Sequence, residues 1–119
     1  MRKKKIIIVH SNADTADTIK KILEKEGYAV EIAKDMADCT KRVLREESCL
    51  VLTEAMLPRE SILKAIKKKN NHSAILYLAG DDSNKDELQL YKNVLGFVEE
   101  PLEIKKFLER VKEAWKRVG

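Results

Sequence analysis

The chain has 119 residues, of which 44% are hydrophobic and 37% are charged, and such a composition indicates one folded domain over residues 1–119 and excludes a disordered tail. The net charge of +4 comes from interspersed charges of both signs, and no aromatic residues stand among the lysines, so direct nucleic-acid binding is not expected. Its two cysteines lack the spacing of a disulfide framework and its apolar runs are too short for a signal peptide or a membrane span, which predicts a cytoplasmic protein.

The first strand and helix are predicted at the start of the chain. Residues 6–9 are β-branched with no polar alternation, which is typical of a parallel strand buried on both faces. An apolar stripe at helical spacing follows, formed by Ala16, Ile19, Ile22 and Leu23. Gly27 stands where a glycine ends a helix.

The second unit and the third strand follow the same order. Residues 28–33 predict a strand, and the alternation within residues 30–32 indicates a place at the edge of the sheet. A helix is predicted over residues 36–46, and its inward positions are Met36, Thr40, Val43 and Leu44. Residues 49–53 predict a buried third strand that begins with Cys49 as a small core residue.

The second half of the chain repeats the alternation. Helices are predicted over residues 59–69 and from Ser83 onwards, and strands over residues 74–78 and 95–98. Pro101 is predicted to open the final helix near its first position. The inward face of that helix is predicted to consist of Ile104, Leu108, Val111, Trp115 and Val118.

Five strands that alternate with helices through short connections indicate an α/β fold. The prediction is a doubly wound, five-stranded parallel sheet of order 2-1-3-4-5, the flavodoxin-like (βα)5 arrangement. In such a sheet the functional residues follow the carboxyl ends of the strands.

Three segments resemble the receiver domains of bacterial two-component response regulators. Residues 6–28 are similar to the family's opening strand and helix, and residues 50–58 to its third strand, phospho-acceptor and following loop. Residues 96–102 are similar to its fifth strand and lysine-proline turn. Together these segments extend the resemblance over essentially the whole chain.

The resemblance implies a phosphorylation site at which this sequence differs throughout. The family uses an acidic pair that helps to hold Mg²⁺, an acceptor aspartate, a hydroxyl and a lysine. Those positions here are His10 and Ser11, Glu54, Leu78 and Glu100, respectively. Histidine and serine are poor Mg²⁺ ligands, leucine donates no hydrogen bond, and a glutamate repels phosphate. We therefore expect that Mg²⁺ binding is lost and that no cofactor is bound.

The pattern predicts an atypical receiver, or pseudo-receiver, in phosphorelay signalling that acts as a phosphorylation-independent protein-interaction module. One alternative is a conventional phospho-accepting receiver with relaxed chemistry. A permanently active domain with Glu54 as a phospho-aspartate mimic is disfavoured, because Leu78 has no hydroxyl and Glu100 has no positive charge to bind the Glu54 carboxylate. Motifs for nucleotide binding or for nucleophilic hydrolysis are absent from the sequence, so an enzyme is not expected.

Family geometry implies that Glu54 and Glu100 lie close together and repel each other unless something compensates. His10 is expected to compensate, as an imidazolium or as a hydrogen-bond donor. A second alternative is a sensor of a metal or small ligand in which His10, Glu54 and Glu100 hold zinc.

The resemblance also implies a partner surface. The predicted fourth helix, fifth strand and fifth helix form the family's usual face for a protein partner or a homodimer. Phe97 matches the aromatic position that moves with phosphorylation in active members, and here it is expected to keep one rotamer. An output domain attached to the same polypeptide is compatible with this arrangement.

Overall fold

The computed structural model of the protein describes residues 4–45, 48–54, 73–79, 94–99 and 102–118. The strands are β1 (Lys4–Val9), β2 (Val30–Ile32), β3 (Ser48–Glu54), β4 (Ala74–Ala79) and β5 (Val94–Glu99). The helices in this part of the chain are α1 (Ala13–Lys25), α2 (Met36–Arg45) and α3 (Ile104–Arg117). The helices predicted over residues 59–69 and from Ser83 lie outside the described residues.

The strands form one sheet in the order β2-β1-β3-β4-β5, and every neighbouring pair is parallel. The predicted fold class and strand order are therefore confirmed. The strand that begins the chain lies inside the sheet, whereas β2 and β5 form its two edges. This order brings the carboxyl ends of β1 and β3 side by side. Doubly wound sheets bind their ligands in the crevice at this point.

The sheet is buried on both faces. Ile6 and Ile8 of β1 belong to a core cluster with residues of α1 and α3, whereas Ile7 and Val9 belong to a second cluster with residues of α2. The uninterrupted apolar run therefore arises because successive side chains point to opposite, equally covered faces. Cys49 is fully buried in the second cluster, as predicted.

Local signals fix both ends of α1. The side chain of Asn12 accepts a hydrogen bond from the backbone N–H of Thr15 and caps the first turn. Gly27 follows the last turn with φ +96°, and the N–H of Tyr28 then bonds the Leu23 carbonyl. Tyr28 thereby turns onto Trp115 of α3, with ring centroids 5.2 Å apart in an edge-to-face arrangement.

Several predicted boundaries were inexact. Strand β2 is shorter than residues 28–33, because the chain is still leaving the αL turn of α1 at Tyr28. Strand β3 continues through Glu54, and β5 through Glu99, so both carboxylates end strands instead of following them. The parallel ladder extends to these residues, which pair with Leu78 and Ala79, respectively.

The predicted inward faces of two helices needed correction. Ile104 is 55% exposed and Leu44 is 45% exposed, although both were predicted to face the core. Helix α3 begins at Ile104 after the N-cap residue Glu103, three positions later than Pro101 would have placed it. Ile104 therefore lies in a first turn that is not covered, and the buried stripe of α3 is Phe107, Val111 and Ala114. In α2 the buried stripe is Met36, Cys39 and Val43. Leu44 lies beside this stripe and not within it.

Within the described residues, no helix combines the length and apolar character needed to cross a membrane.

Candidate functional site

The carboxyl edge of the sheet gathers four of the predicted site positions. His10 and Ser11 follow β1, Glu54 ends β3, and Leu78 lies near the end of β4. Glu54 pairs with Leu78 in the ladder between β3 and β4. The sheet thus brings His10, Ser11, Glu54 and Leu78 to one edge, as the strand order requires. Glu100, the fifth predicted position, lies outside the described residues.

Glu54 is bound by the connection between β1 and α1. The backbone N–H of Ser11 donates to Glu54 Oε1 at 2.5 Å, and the Ser11 hydroxyl donates to Oε2 at 3.1 Å. Hydrogen bonds to an ionised carboxylate are among the stronger ones in proteins. Both oxygens of Glu54 therefore accept from Ser11, one from its backbone and one from its side chain, and the Glu54 side chain is only 20% exposed.

His10 faces the same carboxylate through its Nδ1 atom, which lies 3.6 Å from Glu54 Oε1. That nitrogen accepts a hydrogen bond from the backbone N–H of Asn12 at 3.0 Å. The ring of His10 is thus held between the Glu54 carboxylate and the backbone of the loop that follows β1.

Asn12 contributes twice to this arrangement. Its backbone N–H orients His10, while its side chain caps α1. The first helical turn therefore fixes the loop that carries Ser11. The sequence contains a signal for the cap, because asparagine directly before a helical stripe is a favoured N-cap residue. The bond to His10 has no such signal.

Leu78 is 1% exposed and belongs to the core cluster that faces α1 and α3. Its side chain has no group that can bond an anion. The position at which the sequence predicts a lost hydroxyl is thus a packed core position. Thr53, directly before Glu54, supplies a hydroxyl nearby, but that group is fully buried and makes no hydrogen bond within the described structure.

Phe97 lies on β5, directly opposite Tyr77 of β4. The two rings are stacked, with centroids 5.8 Å apart and planes inclined by 22°. Tyr77 is fully buried, and Phe97 packs against the cluster that contains it. The sequence offers no hint of this pair, because a tyrosine within an apolar strand looks like any other core residue.

The zinc alternative has two of its three ligands, His10 and Glu54, among the described residues. Among the residues that the structure describes, no group of three His, Cys, Asp or Glu side chains is close enough to hold an ion. His10 Nδ1 already accepts a hydrogen bond. The third ligand of the zinc alternative, Glu100, is outside the described residues.

The outer side of β5 and α3 forms a shallow groove of about 430 Å³. Its lining residues are Phe97, Val98, Glu99, Glu103, Lys106, Glu109 and Arg110. Lys106 lies 3.4 Å from Glu103, and both side chains are largely exposed. The groove therefore presents charges of both signs beside the edge strand.

Comparison with known proteins identifies relatives of the whole fold. The family model described as flagellar regulatory protein FleQ matches residues 5–116. A CheY-like response regulator receiver domain protein from Methanospirillum hungatei JF-1 is 26% identical, with a TM-score of 0.79 over 98% of this chain and 97% of that chain.

Two further solved structures share the fold at lower identity. A two-component response regulator from Clostridium difficile is 19% identical, with a TM-score of 0.73 over 98% of both chains. NtrX from Brucella abortus is also 19% identical, with a TM-score of 0.81. The match covers 98% of this chain but 26% of NtrX, so the similarity is to one portion of that longer protein.

Proposed function

The chain belongs to the family of flagellar regulatory protein FleQ and is a CheY-like receiver domain of the two-component kind, and from this premise we propose that it is a protein-interaction module that works without phosphorylation. The observation that carries the proposal is the engagement of Glu54 by Ser11. In the resembled family the acceptor carboxylate meets a metal and a phosphodonor. Here the corresponding carboxylate meets a backbone N–H and a hydroxyl of its own chain.

The hydrogen-bonded Glu54 connects two elements of the fold that a bound metal connects in active receivers. A bound Mg²⁺ connects the loop after the first strand to the acceptor on the third. The two hydrogen bonds from Ser11 connect the same two elements with no ion between them. This supports a pocket that is complete in itself, with Leu78 in place of a phosphate-binding hydroxyl.

The pocket is also ill suited to attract an anion. Glu54 brings a negative charge to the pocket, and Leu78 beside it in the sheet brings no hydrogen-bond donor. Phosphoryl transfer depends on cations that neutralise the charge of the transferred group. Of the predicted acceptor-site positions that the structure describes, His10, Ser11, Glu54 and Leu78, none is a lysine or an arginine, and the cation that lines the pocket beside His10 and Ser11 is Lys34 after β2.

We place the interaction surface at the groove beside β5 and α3. Because Glu99, Glu103 and Glu109 stand there with Lys106 and Arg110, the surface is suited to pair with a second copy of itself about a two-fold axis. The alternative partners are an output domain on the same polypeptide or a separate protein. A cytoplasmic location fits each of these roles.

Sedimentation velocity tests this function. We expect self-association that is unchanged by Mg²⁺ and a small phosphodonor, and that is weakened by Lys106→Glu. Lys41→Glu on α2 is the matched control, because it makes the same charge change at an exposed site away from the groove. Association that requires the phosphodonor would support the conventional receiver instead.

A further inference from the structure

Phe97 is held through its side chain by strand β4. Its ring stacks on that of Tyr77, with centroids 5.8 Å apart. Tyr77 is fully buried in the core cluster beside α2, so its ring forms a fixed wall. Phe97 is half-buried and packs against this cluster, which places its ring inward.

The register of β5 sets this contact. Val94 pairs with Ile75 and Gly96 pairs with Leu76, so Leu95 is an extra residue in the ladder. A bulge of this kind redirects the side chains that follow it. Here it brings Phe97 opposite Tyr77.

Phe97 is also held through its backbone, from helix α3. The guanidinium of Arg110 donates from Nη2 to the Phe97 carbonyl at 2.9 Å. Gly96 makes room for this approach, because a Cβ atom there would lie 2.8 Å from the same nitrogen. Gly96 also has φ +149°, a conformation that other residues rarely adopt.

We propose that Tyr77 and Arg110 are positioning residues that hold Phe97 in one inward position and so give the groove beside β5 and α3 a single conformation. In the resembled family the equivalent aromatic moves with phosphorylation. This inference rests on the proposed function and deepens it, because it names what replaces phosphorylation in setting the surface. The Leu78 side chain is packed in the core on the opposite face of the sheet and does not participate.

Fluorine NMR of protein labelled with 4-fluorophenylalanine tests the inference directly. The chain has two phenylalanines, so the spectrum contains two assignable signals. Phe107 is fully buried and serves as the internal reference. In the wild-type protein we expect one sharp Phe97 line with a small H₂O-to-D₂O shift, unchanged by Mg²⁺ and acetyl phosphate.

Two pairs of variants distinguish a change in the position of the Phe97 ring from a loss of folded structure. Tyr77→Leu should move the Phe97 line and raise its solvent isotope shift toward that of free 4-fluorophenylalanine. Tyr77→Phe keeps a ring at position 77 and adds a third fluorine line, and it should leave the isotope shift of the Phe97 line small. Arg110→Ala should broaden the Phe97 line, whereas Arg117→Ala, an exposed arginine of the same helix, should not. An unchanged Phe107 line and native Trp115 emission establish that each variant is folded.

The inference is overturned if Tyr77→Leu and Arg110→Ala both leave the Phe97 line as in the wild type, or if acetyl phosphate alone moves it. Should Tyr77→Leu fail to fold, Arg110→Ala decides the question. A phosphoryl adduct in the mass spectrum with an unmoved Phe97 line would contradict the proposed function but leave this inference standing.

Discussion

The backbone N–H of Ser11 lies 2.5 Å from one carboxylate oxygen of Glu54, and the Ser11 hydroxyl lies 3.1 Å from the other. The two residues are 43 positions apart in the chain. This pair joins the loop between β1 and α1 to the end of β3. Two hydrogen bonds within the protein thereby connect β1 and β3 at the carboxyl edge of the sheet.

Removal of the Glu54 carboxylate should cost more stability than removal of the Ser11 hydroxyl. Glu54→Ala loses both hydrogen bonds and should lower the free energy of unfolding by about 1–2 kcal/mol. Ser11→Ala keeps the backbone bond and should cost roughly 0.5 kcal/mol. Urea unfolding followed by Trp115 emission measures both.

Glu24→Ala is the control, since Glu24 is an exposed glutamate in the last turn of α1. Its effect should be close to zero. If Glu54→Ala costs no more than Glu24→Ala, the engagement of Glu54 does not stabilise the fold.

His10 distinguishes a hydrogen-bonded pocket from a zinc site. Because Nδ1 of His10 accepts from Asn12, we expect no increase of the melting temperature with Zn²⁺ in the wild type and no difference in His10→Ala. Differential scanning fluorimetry with and without Zn²⁺ and chelator measures this. A zinc-dependent increase that His10→Ala abolishes would favour the sensor alternative.

The fold was predictable because periodicity and burial agree along most of the chain. The apolar run at residues 6–9 and the stop at Gly27 each correspond to one feature of the structure. Positions at helix ends were less predictable: Ile104 fits the apolar spacing of α3, yet it stands in an uncovered first turn. A pattern specifies the face of a helix but not how far the neighbouring layer extends.

The gathering of four predicted positions at one edge of the sheet was predictable, and their contacts were less so. The resemblance identified His10, Ser11, Glu54 and Leu78 as neighbours, and strand order brings them to one edge. The bond from the Ser11 backbone to Glu54 depends on loop geometry, which residue type does not encode. Arg110 was missed for a similar reason, since its partner is a main-chain carbonyl that is reachable only across Gly96.

Gly96 and Arg110 should be coupled energetically. Gly96→Ala combines an unfavourable φ with displacement of the Arg110 side chain, and we expect a loss of about 2–3 kcal/mol. Arg110→Ala alone should cost about 1 kcal/mol. In the double variant the displaced bond is already absent, so the combined loss should be about 1 kcal/mol less than the sum.

A double-mutant cycle by urea denaturation tests this coupling. Gly27→Ala is the useful control, because it has a positive φ but no atom within 4 Å of the added Cβ. Its effect should be purely additive with Arg110→Ala. Strict additivity for Gly96 as well would contradict the contact.

Glu31 should make the protein sensitive to acid. The hydrogen bond from Lys5 at 2.5 Å and that from Arg42 lower the pKa of the Glu31 carboxyl below its ordinary value. A lowered folded-state pKa stabilises the protein above the ordinary value of about 4.3 and loses this contribution as pH falls through the folded value. The contribution therefore disappears in the acid range below about pH 4.3.

Glu31→Gln should consequently lower the free energy of unfolding at pH 7 by about 0.5–1 kcal/mol. The variant should also lose less stability than the wild type as the pH falls into the acid range. Unfolding free energies from pH 3 to pH 7 measure the difference. Glu24→Gln should leave the curve unchanged in shape. An acid decline as steep in Glu31→Gln as in the wild type would exclude this role.

The central claim is that this receiver domain does not accept phosphate, and intact mass spectrometry after incubation with Mg²⁺ and acetyl phosphate tests it most directly. A receiver with a complete acceptor site serves as the positive control. Glu54→Asp is the informative variant, because it restores the acceptor but leaves His10, Ser11 and Leu78 in place. The account predicts no phosphoryl adduct in the wild type or in Glu54→Asp, and a stable adduct on the wild-type protein would contradict it.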